Sequence, residues 1–378
     1  MDRDQSRPLI GPAVPVWRPQ ARGRRSLLPQ FLATLYGLAI VYASLQPFIN
    51  WLSPVPGTAY FLFAPWPPRW VRYDFIINVL AYVPFGFFVG LMPRAGGSGA
   101  SRLTLAIVAG ALMSLAIESL QMYLPTRVAS VADLFSNNTG AALGGFLAVL
   151  FARSPTAGRW LSTARERWFL PGAAGDIGLA LLAIWLAVQA NPGIPLFAAM
   201  YDAAARPFAG PVPTDVAATL VESAQSAFQL LGVGLFVALL MRERSHVAGA
   251  VLLLIGAAAI VKGVAALLLL NPAVGEHWLT PGVALGVGAG ALLLAVAIRL
   301  PRSVQVTLAT VALLSSLLAT LFVPDLVFAR APLSLFNVSY GHLLNFNGLT
   351  HAVLLLWPAM ASAFLFVLAG RPGWGEPG

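Results

Sequence analysis

Seven polar side chains stand at helical spacings in the otherwise apolar stretch between Asp74 and Gly145: Asp74 and Asn78, Glu118 and Gln121, Arg127, then Asp133 and Asn137. An ionisable side chain at the middle of a membrane helix costs about 2.5–3.5 kcal/mol on insertion scales, so such residues mark a site or a buried pair. Three carboxylates can accept hydrogen bonds, act as general acid and base, or hold a divalent cation through oxygen. Arg127 is the natural counter-charge for Glu118 or Asp133, and a guanidinium among acids and amides can grip a phosphate or carboxylate bidentately. Its presence argues against a metal, and neither a metal nor a cofactor is expected.

Helical geometry gathers these residues into stripes. Asp74, Asn78 and Tyr82 follow one line, Ser114, Glu118 and Gln121 another, and Asp133, Asn137, Gly140 and Gly144 share a face that is polar at one end and small deeper in. Gly140 and Gly144 form a small-xxx-small pattern that lets a helix approach a neighbour closely. The three polar faces are thereby expected to meet, either as a ligand or catalytic site or as a structural network that fixes helix register.

The elements that must carry these stripes are membrane helices. Of the 378 residues 58% are hydrophobic and 10% charged, with a mean hydropathy of +0.79, against roughly 25% charged in a soluble domain. Apolar runs long enough to cross about 30 Å of hydrocarbon recur ten times, at 27–48, 74–92, 102–123, 132–152, 176–190, 216–241, 247–270, 279–299, 303–323 and 350–369. The expected class is an all-α polytopic membrane protein of about ten transmembrane helices. With the amino terminus inside, seventeen arginines fall in cytoplasmic segments and five outside, the bias of the positive-inside rule. Both termini are therefore expected in the cytoplasm, and Asp74, Glu118 and Asp133 near the outer face.

The net charge of +9 does not form a basic stripe with interleaved aromatics, so nucleic acid is not an expected partner. Cysteine is absent, which excludes disulfides, thiolate metal sites and cysteine nucleophiles. Residues 1–26 read as a disordered basic cytoplasmic tail, 153–175 as a cytoplasmic linker and 371–378 as a short tail. The aromatic-rich outer segments, with Trp51, Trp66 and Trp70, are expected along the membrane surface as interfacial anchors.

The polar series also resembles the VanZ-like family of bacterial membrane proteins. The matching elements are Tyr42-Ala-Ser-Leu-Gln-Pro-Phe48, Asp74-x3-Asn78-x3-Tyr82-x-Pro-Phe-Gly86, Glu118-x2-Gln121, and Arg127-x2-Ser130-x2-Asp133-x3-Asn137-Asn-Thr-Gly140. The resemblance covers a four-helix unit, residues 27–152. It implies a multi-pass protein of the bacterial cytoplasmic membrane and cell envelope, in a family named for a component linked to glycopeptide antibiotic resistance. It does not imply a particular activity, and nothing carries over to the six-helix region 176–370.

In that second region Glu222 and Lys262, the chain's only lysine, fall at similar depths, which suggests a buried ion pair; the alternative is a lysine snorkelling to the surface. A shift of about 146 residues lays Gly140 and Gly144 on Gly286 and Gly290, as a parallel duplication would. His342, Asn345, Asn347 and His351 lack metal-ligand spacing and read as a hydrogen-bonded loop. No Gly-rich phosphate loop, serine elbow or His-Glu-x2-His is present.

Three functions remain open from sequence. The first is a binding or accessory protein of envelope metabolism, whose partners are membrane lipids and a lipid-linked precursor, peptidic molecule or glycopeptide held at the acid, amide and arginine cluster. The second is an intramembrane enzyme on a lipid-anchored substrate, for which no convincing nucleophile is present. The third is a transporter or flippase, suggested by Lys262 and Glu222.

Overall fold

The computed structural model describes residues 26–46, 48–54, 56–57, 60–64, 72–92, 98–197, 216–270, 278–322 and 341–371, with a few side chains inside the helices left undescribed. The segment 1–25, Trp66, Trp70, most of the stretches 191–213 and 324–347, and the tail after Arg371 lie outside these residues. Among the described residues the chain is all-helical. In order the helices are α1 (Leu28–Leu45), α2 (Arg72–Gly90), α3 (Gly99–Gln121), α4 (Val131–Arg153), α5 (Pro155–Trp168), α6 (Gly172–Val188), α7 (Val216–Leu240), α8 (Val247–Leu269), α9 (Pro281–Ala297), α10 (Arg302–Phe322) and α11 (Gly341–Ala369).

Among the described residues six helices are long and apolar enough to cross a membrane: α1, α3, α4, α7, α8 and α11; α2, α6 and α9 contain shorter apolar segments. Large apolar side chains point outward along them, such as Leu267 at 87% exposure and Phe366 at 79%. A water-soluble surface could not carry patches of this extent, so the protein is a multi-pass membrane protein.

Helix starts follow local chemistry. The hydroxyls of Ser98, Ser130 and Thr280 accept hydrogen bonds from the first-turn N–H groups of Ser101, Ala132 and Val283 at the heads of α3, α4 and α9, which satisfies donors that have no intrahelical partner. Pro29 and Pro281 sit in first turns, where a missing N–H costs nothing.

The linker 153–175 carries a helix, α5, whose apolar residues occupy only one arc and so form no hydrophobic run. One sequence expectation needs correction. The segment containing His342 to His351 is helical rather than a loop, because α11 begins nine residues before its apolar run.

Two hydrophobic cores form. One joins α1 to α4 through Ile40, Leu45, Tyr82, Phe85, Ile117 and Ala141. The larger joins α6 to α11 around Trp185, Phe236 and Trp357, whose indole donates to the Leu181 carbonyl at 2.8 Å.

Helix α1 touches both cores, packing on α2 and α3 as well as on α6 and α11. At its start, the Ser26 hydroxyl and the Leu27 N–H donate to Asp176 of α6 at 2.9 and 2.7 Å. At its far end, the Gln46 side chain lies on Gly348 of α11.

The closest crossing is α2 on α4. A Cβ on Gly140 would strike the Val79 carbonyl, one on Gly144 the Val83 carbonyl, and one on Gly86 the Ala141 carbonyl. The small-residue pattern thus brings backbone to backbone as expected. On the other side of α4, a Cβ on Gly145 would meet Ala106 and one on Gly110 would meet Ala141, which seats α3 closely as well.

Candidate functional site

The close α2–α4 and α3–α4 crossings leave no room between these helices, so polar residues near their common end are forced together. Asn78 Nδ2 of α2 donates to Asp133 Oδ1 of α4 at 2.8 Å. Asn137 Nδ2 of α4 donates to Ser114 Oγ of α3 at 2.9 Å. The Ser130 N–H, at the head of α4, donates to Glu118 Oε2 of α3 at 2.9 Å. Both α2 and α3 are thus cross-linked to α4 by polar contacts.

Each of these acids lies at a helix N-terminus. Asp74 lies in the first turn of α2 and Asp133 in the first turn of α4, and Glu118 accepts from the head of α4. Helix N-termini carry partial positive charge and favour an anion by about 0.3–1 kcal/mol each. Among the described residues no cation lies within ion-pair distance of Glu118, which is itself only 2% exposed.

The network is closed at depth and open at its end. Ser114, Glu118, Asn137 and Tyr82 are buried, whereas Asp74, Asn78 and Asp133 are half-buried. At its deep end the Tyr82 hydroxyl faces Ser114 and lies within electrostatic reach of Glu118 and Asp133 without forming a hydrogen bond. Asn137 Oδ1 is likewise buried without a partner. Buried polar atoms are nearly always satisfied, and each exception needs a cause.

Beside the network, a groove of about 360 Å³ runs along the outer surface of α3 and α4. Leu103, Ile107, Phe135 and Phe146 line it, with Asn138 and Thr139 as its polar members. Asn138 Oδ1 is a third buried atom without a partner.

The seven residues read from sequence divide into two sets. Asn78, Glu118, Asp133 and Asn137 form the network just described, with Asp74 at its open end. Gln121 and Arg127 turn the other way and hold the end of α1. Gln121 Nε2 donates to the Ser44 carbonyl at 3.0 Å, and Arg127 donates to the carbonyls of Gln46 at 3.0 Å and Ala43 at 3.4 Å.

The expectation that Arg127 pairs with Glu118 or Asp133 is therefore corrected. The terminal carbonyls of a helix lack intrahelical donors and carry partial negative charge, so they attract the guanidinium. Half-buried in this position, Arg127 has its pKa lowered by desolvation, and its donors are directed away from any anion at the acid cluster.

The expected Glu222–Lys262 ion pair is also absent. Lys262, 1% exposed, donates to the carbonyls of Asn191 and Ile194, each at 2.8 Å. It does not snorkel either. These carbonyls belong to the irregular turn after α6, whose backbone needs donors at membrane depth. The Asn191 side chain completes the arrangement, donating to Asn347 Oδ1 at 2.9 Å and Thr350 Oγ1 at 2.7 Å and accepting from the Gly193 N–H at 3.0 Å.

A buried ion pair was missed altogether. Arg165 of α5 contacts Asp176 of α6 at 2.7 Å, and also donates to the carbonyls of Leu170 and Gly172. The sequence signal was Asp176 itself, an acid at the start of an apolar run. Its partner was hidden in what read as a linker. Among the described residues no three acidic or histidine side chains gather as a metal site would require.

No curated protein and no solved structure matches this chain. The network, the capping pair Gln121 and Arg127, and the helices that carry them all fall within residues 26–152, the stretch matched by the VanZ/LLP1 family model. That segment is a VanZ-like domain within a multi-pass membrane protein.

Proposed function

We propose that the VanZ-like domain binds a lipid-linked or peptidic molecule of the bacterial cell envelope at the outward-facing end of α2, α3 and α4. In this reading the chain crosses the cytoplasmic membrane ten times with both termini in the cytoplasm. The observation that carries the proposal is the unmet hydrogen-bonding capacity of Tyr82 and Asn137 beside Glu118. With Arg127 occupied by α1, the unmatched Asn137 Oδ1 is an acceptor, so it suits a ligand rich in N–H or O–H donors, or an ammonium, better than a phosphate. The groove beside it, lined by Phe135, Leu103 and Ile107 with Asn138 and Thr139, is suited to a lipid chain attached to such a head. A role in glycopeptide resistance fits this ligand class.

Glu118→Gln and Asp133→Asn keep an acceptor for the Ser130 N–H and the Asn78 amide. Both variants should therefore insert and fold, yet lose function in a glycopeptide-resistance or envelope-stress assay. Full activity in both would refute the site. Sidedness is read separately with single cysteines in this cysteine-free chain: Val128→Cys should react with an impermeant maleimide in intact cells, and Thr163→Cys only after lysis.

A further inference from the structure

We propose that α5 is an interfacial anchor whose apolar arc lies in the headgroup region of the membrane and whose arginines recognise anionic lipid headgroups. Trp160, Ala164 and Trp168 follow one line of this helix, with Leu161 beside it. Trp160 is 66% exposed, Leu161 50% and Trp168 37%, so the arc is not covered by the rest of the protein. α5 is also too polar to span a bilayer, unlike the helices around it. A short basic helix with an exposed Trp and Leu arc is the pattern that lies in a membrane interface.

Its placement is fixed at several points. It follows α4 directly after Arg153 and precedes α6. The Arg242 N–H donates to the Trp168 carbonyl at 2.9 Å, the Leu170 N–H to the Leu240 carbonyl at 2.9 Å, and the Arg242 guanidinium to the Glu166 carbonyl at 2.8 Å. α5 is thereby held at the level where α4 and α7 end and α6 begins. The Arg165–Asp176 contact sets its rotation about its own axis, because a single buried side chain on one face determines which face remains outside.

Charge identifies the partner. Arg153, Arg167, Arg242 and Arg244 are exposed around this helix, against Glu166 and Glu243. Arg165 is neutralised by Asp176 and takes no part. The surplus is positive, and each arginine at an anionic surface should change its occupancy about fivefold.

The test uses the full chain in vesicles of phosphatidylcholine mixed with phosphatidylglycerol. A nitrobenzoxadiazole label at Leu161→Cys should be quenched by shallow spin-labelled phosphatidylglycerol about fivefold or more beyond phosphatidylcholine carrying the same spin label. The same label at Thr163→Cys, off the arc, should be quenched by neither. Arg153→Gln with Arg167→Gln should equalise the two lipids, and high salt should do so without any substitution. A label at Leu161→Cys that stays in water, as it would if the arc awaited a soluble protein, overturns the proposal. So does equal quenching by both lipids with all arginines present.

Discussion

Two buried polar networks in this chain meet their hydrogen-bonding needs in different ways. Around Lys262 the Asn191 amide, Asn347 Oδ1 and the Thr350 hydroxyl are matched to one another or to backbone, and the lysine is spent on the carbonyls of a turn. Around Glu118 the helices are cross-linked just as firmly, yet the Tyr82 hydroxyl and Asn137 Oδ1 remain unmatched. The first arrangement holds irregular backbone inside the bundle. The second holds three helices together and leaves two buried polar atoms unmatched, the feature on which the proposed site rests.

One glycine-lined helix crossing in each half is alike, although only the first lies under its half's polar network. Gly140 and Gly144 press α4 onto the backbone of α2 at Val79 and Val83; Gly286 and Gly290 press α9 onto α7 at Ser223 and Ala227. The third helix differs. α3 packs on α4, whereas α8 packs on α6 and α7. The network of the second half is accordingly built on α6, α8 and α11 and does not occupy the position of the first.

Lys262→Ala should have the largest effect on stability. It leaves two buried carbonyls without donors and a cavity where the stem lay, costing about 3–5 kcal/mol, read as a fall in thermal midpoint of the detergent-solubilised protein. An unchanged midpoint would remove the structural role assigned to that network.

Gly140→Leu and Gly286→Leu should follow, at about 1–3 kcal/mol or more each, because neither crossing has space for a side chain. Gly256→Ala, where an added Cβ meets nothing, should be neutral or slightly stabilising. If only one of the two crossings responds, the likeness between them fails.

Arg127→Ala should cost about 1 kcal/mol by exposing the last carbonyls of α1. Because its guanidinium faces α1, Arg127→Lys should restore much of the stability. If the variant instead lost function with no loss of stability, Arg127 would belong to the ligand site after all.

Glu118→Gln should change stability least, by under about 1 kcal/mol, while abolishing the envelope phenotype. A midpoint loss as large as that of Lys262→Ala would make the two networks equivalent and the Glu118 cluster purely structural.

The sequence by itself determined the solvent, the helices and the membership of the polar series. Hydropathy set the apolar runs, because a bilayer demands about twenty such residues per crossing, and the polar stripes were legible because helical periodicity is fixed by backbone geometry. Gly140 and Gly144 likewise announced a close approach. The amphipathic α5 and the early start of α11 were not legible, since a helix that buries one arc or begins in polar residues leaves no continuous hydrophobic signal.

Only the tertiary structure decided which polar group meets which. Sequence paired Arg127 with an acid and Lys262 with Glu222 because opposite charges attract. In the fold both cations are taken by backbone carbonyls, at the end of α1 and in the turn after α6, and Asp176 is taken by an arginine from α5. At membrane depth an unsatisfied carbonyl is as pressing as a counter-charge, and its position is a property of the folded backbone, which no residue spacing reveals.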